Sequence, residues 1–350
     1  MTKAHDEGIS TLRCGMEFPD SGSAGRERRT ELNNALSGKR ILITGASGFI
    51  GRRIVQQLSV VDCTIVALSR APGPETIQDT ARIEEVFGDI RDTCVLDSAM
   101  RGVDVVIHLA AQTSARTAED DPRADAMVNV APMTHIVASA ERTHASIILA
   151  STSTIFGLPA SLPVAETQPD APLTAYDRHK LLAERLVQAY GKGASLRLTN
   201  VYGPGQSHKG ADRGVLNAAI AKAISGEALT VFGDGSQLRD YLYIDDAARA
   251  FLMAAANAQA LGGRPFVVGS GVGTRIRDAF ALVATRVGEW VSRQVPVIFA
   301  DPPAPPLQID ARNFVADARA FQVAAQWTAE TQLQEGIDLT IDAVINAGGA

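Results

Sequence analysis

Short, nearly continuous apolar runs alternate with stretches of helical spacing from residue 39 onward. The runs give the candidate strands Arg40–Thr44, Thr64–Leu68, Asp104–Leu109, Ser146–Ala150 and Ser195–Leu198. Continuous apolar runs are typical of strands that are buried on both faces. Residues 52–58 and 125–140 have helical spacing. This alternation predicts an α/β fold of the Rossmann type, a doubly wound parallel sheet with right-handed crossovers.

Three stretches of the chain differ in pattern. Residues 1–38 mix charges, serine and glycine without a helical or strand period, and we expect a flexible N-terminal extension there. Residues 39–199 carry the strand–helix alternation and predict a first domain, which the glycine turn and the Tyr176/Lys180 motif described below assign to dinucleotide binding and catalysis. After Asn200 the pattern loosens, with a candidate helix at 215–225. Residues 200–350 therefore predict a smaller, mainly substrate-binding region, from which about 240–270 returns to the first domain.

Composition narrows the class of protein. The 350 residues are 46% hydrophobic and 21% charged, which excludes wholesale disorder and a coiled coil. The net charge of −6 disfavours nucleic acid and anionic membranes as partners. No apolar run reaches the 18 residues of a membrane span. The three cysteines and six histidines show no metal-ligand spacing. We therefore expect a cytoplasmic globular protein without a metal site.

A glycine-rich turn follows the first candidate strand directly. Gly45, Gly48 and Gly51 punctuate it, and a helical stretch begins behind it. Glycines at this spacing permit a tight turn, a close approach of the backbone to a pyrophosphate, and packing of the helix near the strand. The N-terminus of that helix offers unpaired N–H groups to phosphate oxygens. This turn predicts a dinucleotide site.

The end of the second candidate strand bears on which dinucleotide binds. An NAD-preferring site usually has an acidic residue here, which accepts a hydrogen bond from the ribose 2′-hydroxyl. This chain has Ser69 and Arg70 instead. The absence of a carboxylate, together with an arginine that could pair with a 2′-phosphate, favours NADP over NAD. Further on, Asp89 follows the third strand and could accept a hydrogen bond from the adenine amino group.

Tyr176 and Lys180 are separated by one helical turn and project from the same helix face. A tyrosine with a pKa near 10 is a poor base at neutral pH. We expect the Lys180 ammonium and a nearby nicotinamide to lower the pKa of Tyr176. A hydroxyl partner for this pair is available upstream in the segment 151–154, Ser-Thr-Ser-Thr.

Taken together, these motifs resemble the extended short-chain dehydrogenase/reductase family, in its NAD(P)-dependent sugar-nucleotide epimerase/dehydratase branch. The resemblance covers about residues 39–345. Besides the glycine turn and the Tyr176/Lys180 pair, it rests on segments 108–111 (HLAA), 151–157 (STSTIFG), 197–204 (RLTNVYGP) and 232–241 (FGDGSQLRDY).

The resemblance implies a role for each matching position. Thr152 would hydrogen-bond the reacting sugar oxygen, Tyr176 would be the acid/base, and Lys180 would hold the nicotinamide ribose. The predicted cofactor-binding residues are Gly45, Ser47, Gly48, Phe49, Ile50, Gly51, Ser69, Arg70, Asp89, Ile90, Leu109, Ala110, Ala111, Tyr176 and Lys180. The predicted substrate-binding residues are Thr152, Ser153, Asn200, Leu216, Val231, Phe232 and Arg239.

Departures from the family pattern narrow the chemistry. The 4,6-dehydratases carry Thr-Asp-Glu at the hydroxyl motif, whereas residues 152–154 here contain no carboxylate, so we do not expect dehydration. Leu307 occupies the position where an arginine for the substrate diphosphate is usual, and Arg312 or Arg213 could replace it. Phe156 stands where tyrosine is more common.

The function predicted first is 4-epimerisation of a nucleotide-activated sugar through a transient 4-keto intermediate. An NADPH-dependent 4-ketoreductase of a 4-keto-6-deoxy sugar nucleotide is nearly as well supported, because Ser69 and Arg70 favour net reduction. A ketoreductase for a non-nucleotide carbonyl compound and a non-catalytic dinucleotide sensor are further alternatives. The family resemblance also implies a homodimer, built from the helices around 127–140 and 176–190.

Overall fold

The computed structural model describes residues 23–72, 80–205, 214–303 and 305–348. In chain order, the strands are β1 Arg40–Thr44, β2 Thr64–Ser69, β3 Arg82–Phe87, β4 Val105–His108, β5 Ser146–Thr152, β6 Gly193–Leu198, β7 Asn200–Tyr202, β8 Leu229–Phe232, β9 Leu238–Tyr243, β10 Pro265–Val268, β11 Gly273–Arg275 and β12 Val297–Ala300. The α-helices are α1 Ser23–Leu36, α2 Phe49–Leu58, α3 Thr93–Ala99, α4 Ala115–Asp120, α5 Pro122–Asn129, α6 Ala131–Thr143, α7 Ala175–Tyr190, α8 Val215–Ser225, α9 Ile244–Ala256, α10 Ala258–Leu261, α11 Ile276–Val291, α12 Arg319–Ala325 and α13 Leu333–Gly348.

A seven-stranded sheet in the order β10-β6-β5-β4-β1-β2-β3 forms the centre of the molecule. All of its neighbouring strands are parallel. The chain winds outward from β1 in one direction through β2 and β3, and in the other through β4, β5 and β6. The predicted doubly wound parallel sheet is confirmed. Ligands bind at the carboxyl edge of such sheets, where the strand order reverses, and here that point lies between β1 and β4.

The five candidate strands correspond to β1, β2, β4, β5 and β6, with ends that differ by at most two residues. The predicted helix at 215–225 is α8, which lies between Gly214 and Gly226, both in the left-handed region. By contrast, the single helix predicted over 125–140 is two helices, α5 and α6, which meet at Val130. Pro132 explains the break, because it has no N–H to continue the hydrogen-bond ladder of α5.

The N-terminal segment differs from its prediction. Residues 1–22 lie outside the described part of the chain, but Ser23–Leu36 is a helix rather than an irregular extension. Leu36 is fully buried, and Leu32 packs against the core formed by α2, α9 and the sheet. The prediction of a flexible segment up to residue 38 is therefore wrong for α1. Its charged, polar composition gives no clear helical period, and among its described side chains Leu32 and Leu36 contact the core.

A smaller layer built largely from the C-terminal half covers the carboxyl edge of the sheet. Helices α8, α11 and α13 pack around β8 and β9 in a separate apolar cluster that includes Tyr202 and Tyr243. β9 pairs in parallel with β7 and antiparallel with β11, while β8 pairs with β12. None of the helices in the described ranges has both the length and the apolarity needed to cross a bilayer.

Candidate active site

A cavity of about 560 Å³ opens at the carboxyl edge of the sheet, where the strand order reverses. Many of the residues predicted from the sequence line it together: Gly45, Ser47, Gly48, Phe49, Ile50, Gly51, Leu109, Ala111, Thr152, Tyr176, Lys180, Asn200 and Leu216. They come from the β1–α2 turn, the ends of β4 and β5, α7, β7 and α8. A volume of this size fits a small organic ligand.

The glycine turn lies so close to its neighbours that side chains are excluded. Gly45 has a φ of +72°, and a Cβ there would lie 3.0 Å from the backbone nitrogen of Ala110. A Cβ on Gly51 would lie 2.2 Å from the carbonyl oxygen of Gly45. Gly48 is the N-cap of α2 and supplies no side-chain cap. The first N–H groups of α2 therefore face the cavity without a side-chain acceptor, as an anion-binding helix terminus requires.

A hydroxyl–imidazole contact fixes the end of β4 against β1. Thr44 Oγ1 accepts hydrogen bonds from the backbone N–H groups of Leu109 and Ala110, each at 3.2 Å. It lies 2.8 Å from His108 Nδ1. Burial, reinforced by the positive charge of Lys180, lowers the pKa of His108 to about 3, so the ring is neutral. Because both lone pairs of Thr44 Oγ1 accept backbone N–H groups, its hydroxyl donates to His108 Nδ1. His108 therefore positions the cavity wall rather than acting as an acid.

Helix α7 carries both Tyr176 and Lys180 into the cavity. Its N-terminus is fixed by a capping box in which Thr174 and Asp177 satisfy each other's backbone N–H groups. Lys180 is only 3% exposed, and its Nζ makes no hydrogen bond to any residue in the described ranges. Burial lowers the pKa of Lys180 to about 8, although the charges of Glu184 and Asp125 oppose this shift.

The pKa of Tyr176 differs from the sequence prediction. Burial raises it well above its usual value, and the nearby carboxylates of Asp177 and Asp125 raise it further. The sequence prediction is that Lys180 and a nearby nicotinamide together lower it. In the protein alone, two carboxylates and desolvation outweigh the ammonium, and the resting side chain is a neutral phenol.

Asp125 belongs to a buried polar network between α5 and α7. It accepts hydrogen bonds from Gln112 Nε2 at 2.8 Å and Asn129 Nδ2 at 3.0 Å, and it contacts His179 Nδ1 at 2.6 Å. The Asn129 side chain also accepts a hydrogen bond from the backbone N–H of Gln112 and donates one to its carbonyl oxygen. This network fixes the loop after β4 against α7, and it places one negative charge behind the Tyr176/Lys180 face.

A second buried network lies behind Thr152. Arg197 on β6 donates to Glu184 on α7 at 2.7 Å and pairs with Asp170, also at 2.7 Å. Ser151 donates to the same Glu184 carboxylate. Arg197 also stacks over the Phe156 ring, 4.6 Å from its centroid. The ion pair therefore joins β5, β6 and α7, the three elements that carry or support Thr152 and Tyr176.

The other predicted site residues do not line this cavity: Ser69, Arg70, Asp89, Ile90, Ala110, Ser153, Val231, Phe232 and Arg239. Ser69 is buried at the end of β2 and donates to the Ala71 carbonyl, whereas Arg70 is exposed. Asp89 accepts two side-chain hydrogen bonds from Arg91, which hold the pKa of Asp89 at about 2. The Asp89 carboxylate is thus already paired with Arg91, whereas the sequence analysis expects it to be available to the adenine amino group.

Arg239 also has protein partners in the structure. It is 9% exposed and donates to the carbonyl oxygens of Leu238, Asp310 and Arg312. Nearby, Arg312 Nε is buried and has no hydrogen-bond partner in the described part of the chain. Burial, together with the charge of Arg239, lowers the pKa of Arg312 to about 10. Arg213, the other arginine considered for the diphosphate, lies outside the described residues.

Sequence reasoning missed several residues of the cavity wall. They include Arg52, Thr113, Ala150, Ser151, Leu198, Thr199, Val201, Tyr202, Val215 and Tyr241. Several follow directly from topology, because the carboxyl ends of parallel strands border the ligand crevice. That rule would have found the ends of β5 and β6 and the loop after β4. Tyr241 gave no such signal, since β9 belongs to a different sheet.

Residues 41–269 match the model of the NAD dependent epimerase/dehydratase family. The chain therefore belongs to that family, and it is an enzyme of the extended short-chain dehydrogenase/reductase type, as its motifs predicted.

Individual relatives agree with this assignment. The chain is 30% identical to a UDP-glucose 4-epimerase of Mycolicibacterium smegmatis over 87% of its own length and 97% of the relative. The structure superimposes on the Thermotoga maritima UDP-glucose 4-epimerase with UDP-glucose at a TM-score of 0.78, with 26% identity over 88% of this chain and 99% of the other. The Thermus thermophilus UDP-glucose 4-epimerase in complex with NAD matches at a TM-score of 0.75 and 29% identity, with the same coverage.

The cavity fits a nicotinamide dinucleotide on its own geometry. The glycine turn lines the cavity and is packed too closely against backbone to carry side chains, and the N-terminus of α2 faces the same space. Lys180 presents a buried cation to the same cavity, and its Nζ has no hydrogen-bond acceptor among the described residues. Gly45, Gly48 and Gly51 would hold the phosphates, and Lys180 would bind the nicotinamide ribose. When bound, the dinucleotide supplies a reversible hydride acceptor.

Proposed function

We propose that the protein is a nucleotide-sugar 4-epimerase that works through a transient 4-keto intermediate. The observation that carries this proposal is the convergence of Thr152, Tyr176 and Lys180 on one cavity beside the glycine turn. The epimerase relatives named above support the choice of reaction and of a UDP-sugar as substrate. The absence of a carboxylate within residues 152–154 argues against dehydration.

In this mechanism Tyr176 exchanges a proton with the oxygen on the reacting sugar carbon, and Thr152 hydrogen-bonds that same oxygen. Lys180 has to stabilise the phenolate that forms, because burial and two carboxylates disfavour that charge in the resting protein. A charged Lys180 is therefore required, and its pKa of about 8 keeps it mostly protonated at neutral pH. Inversion then requires the 4-keto intermediate to present its opposite face before the reacting carbon is reduced again and Tyr176 returns the proton to the oxygen.

In this proposal, Arg239 and Arg312 would bind the substrate diphosphate. We propose that Arg312 takes the role of the arginine replaced by Leu307, because its buried Nε has no other partner in the described ranges and it lies beside Arg239. The region from residue 200 onward would then bind the nucleotide, with Asn200 and Leu216 on the cavity wall and with Val231 and Phe232 near the base.

We propose that Arg70 sets the preference between NADP and NAD, because it could pair with the 2′-phosphate of NADP. Its guanidinium is exposed at the end of β2, and the adjacent position is Ser69 rather than an acidic residue. These features favour NADP, and a preference for NADPH would fit the alternative of a 4-ketoreductase. Arg70→Ala should weaken NADPH binding about tenfold, the loss of one charge-assisted contact, and leave NADH binding unchanged.

We also propose a homodimer formed by α5, α6 and α7. These helices pack against one another, and Met127 and Leu182 on their outer side are each about half exposed. Light scattering after size exclusion measures the mass directly. A monomer at micromolar concentration would contradict this part of the proposal.

The decisive experiment incubates the protein with NAD and UDP-glucose and identifies the sugar products. An epimerase forms UDP-galactose without net change in cofactor, whereas a reductase consumes NADPH with a 4-keto sugar nucleotide. Tyr176→Phe should lower kcat by about a hundredfold or more while NAD still binds. A dinucleotide sensor would show no turnover with any of these substrates.

Tyr190→Phe is the matched control on the same helix. The Tyr190 hydroxyl donates to the carbonyl oxygens of Ala140 and Ala145, away from the cavity. Its loss should cost about 1 kcal/mol of stability and leave kcat unchanged. If Tyr176→Phe behaves like Tyr190→Phe, the assignment of Tyr176 as acid/base is wrong.

A further inference from the structure

A carboxylate from α7 lies beside the hydroxyl motif at the end of β5. Asp177 is 1% exposed, and one of its oxygens accepts a hydrogen bond from Thr154 Oγ1. Its other oxygen accepts the backbone N–H of Thr174 in the capping box. The motif at 152–154 has no acidic residue of its own, and the fold supplies one from 23 residues further along the chain.

This contact fixes the direction of the hydrogen bonds that reach Thr152. A carboxylate has no proton to give, so Thr154 must donate to Asp177 and spends its single hydroxyl proton there. Thr152 Oγ1 lies 2.8 Å from Thr154 Oγ1, and that bond then needs the proton of Thr152. Thr152 Oγ1 also accepts the backbone N–H of Thr154 at 3.2 Å.

Thr152 is therefore left with one lone pair and no proton for the cavity that it lines. We propose that Thr154 and Asp177 are positioning residues that make Thr152 a hydrogen-bond acceptor for the reacting hydroxyl. The inference rests on the proposed function, in which Thr152 contacts the sugar oxygen. It assigns a direction to that contact and names the two side chains that impose it.

The direction of this bond distinguishes the two oxidation states of the substrate. A secondary alcohol has one proton, which it donates to Thr152 in the bound state and which has to turn toward Tyr176 for the reaction, whereas a ketone has none. Thr152 in this orientation thus stabilises the complex of the alcohol with oxidised cofactor, and it offers nothing to the 4-keto intermediate. An epimerase gains from such a bias, because a weakly populated ketone has less opportunity to escape with the cofactor left reduced.

Asp177→Asn should reverse the direction of the hydrogen bonds that run from Thr152 through Thr154 to residue 177. Its amide oxygen can still accept from Thr174, and its NH₂ then donates to Thr154, whose own proton turns toward Thr152. The Thr152 proton would point into the cavity and stabilise the ketone. In the protein loaded with NAD and saturated with UDP-glucose, the near-ultraviolet absorbance of reduced nicotinamide reports the ketone complex. The reduced fraction at equilibrium should rise about tenfold over the wild type, the effect of one hydrogen bond gained or lost.

Two substitutions of Thr154 test the same series of hydrogen bonds and leave the capping box intact. Thr154→Val removes the hydroxyl at nearly constant shape and should raise the reduced fraction and lower kcat, with the affinity for NAD unchanged. Thr154→Ser keeps the hydroxyl and should restore wild-type values. Thr174→Ala is the structural control, because it weakens the cap by about 1 kcal/mol but leaves the Thr154–Asp177 contact in place.

The outcomes separate the two hypotheses. If the wild type binds neither NAD nor NADP and converts no UDP-glucose with either, the proposed function is wrong. If the wild type is active and both Asp177→Asn and Thr154→Val keep its reduced fraction, the orientation of Thr152 is not set by these residues. A Thr174→Ala variant that shifts the reduced fraction as much as Asp177→Asn would likewise overturn the inference, since the effect would then come from the helix cap.

Discussion

The ion pair between Glu184 and Arg197 offers a sharp test of how the catalytic elements are held together. Both side chains are 3% exposed, and Arg197 has Asp170 as its only other ionic partner in the described ranges. Glu184→Gln keeps the shape of the side chain and an oxygen for Ser151. It also removes the charge and turns an NH₂ group toward the guanidinium.

Removing one partner of a buried pair typically costs 3–5 kcal/mol, because the remaining charge stays desolvated. Asp170 still compensates part of the Arg197 charge, so we expect a loss of about 3 kcal/mol. For a chain of 350 residues, whose unfolding entropy is about 0.7 kcal/mol/K, that corresponds to a fall in Tm of roughly 4 °C. Chemical denaturation monitored by circular dichroism measures the free energy of unfolding, and calorimetry measures Tm.

Arg185→Gln is the matched control on the next residue of α7. Arg185 pairs with the same Asp170 at 2.8 Å, but its side chain is 56% exposed. An exposed pair contributes no more than about 1 kcal/mol, so this variant should remain close to the wild type. If Glu184→Gln loses no more stability than Arg185→Gln, burial does not determine the strength of this ion pair, and the reasoning is refuted.

Three further predictions concern the core and the cofactor turn. The pKa of His108 falls from 6.5 in the unfolded chain to about 3 in the fold, so below pH 6.5 the unfolded state binds a proton that the folded state does not. The contribution of this group to stability should therefore be complete above pH 6.5 and decline as the pH falls toward 3. His108→Asn should flatten this decline in denaturation curves recorded across that range. Gly51→Ala places a methyl group 2.2 Å from the Gly45 carbonyl and should abolish NAD binding in calorimetric titrations, whereas retained affinity would show that the turn does not hold the phosphates. Cys63 is buried with a pKa raised to about 11, and Cys94 is exposed, so a thiol reagent should label Cys94 in the native protein and reach Cys63 only after unfolding, as peptide mass analysis would show.

The sequence by itself determined the sheet and the cofactor turn. Buried parallel strands need continuous apolar runs, and a glycine is required wherever a Cβ would clash with backbone. Both features can therefore be recognised from a short stretch of sequence. The five candidate strands and the glycines at 45, 48 and 51 accordingly agree with the structure. Tyr176 and Lys180 share the cavity for the same reason, since one helical turn fixes their relative positions.

Only the tertiary structure decided the electrostatics of the site. Asp177 reaches Thr154 across 23 residues, and Asp125 approaches Tyr176 from another helix. Neither approach has a periodic signature, because each depends on how separate elements pack. In the protein alone, the pKa of Tyr176 is therefore raised, whereas the local motif predicts that Lys180 and a nicotinamide together lower it. Similarly, α1 joined the core through Leu32 and Leu36 although its composition suggested none. Local patterns fix which backbone forms, whereas charges and contacts act through space and depend on the assembled fold.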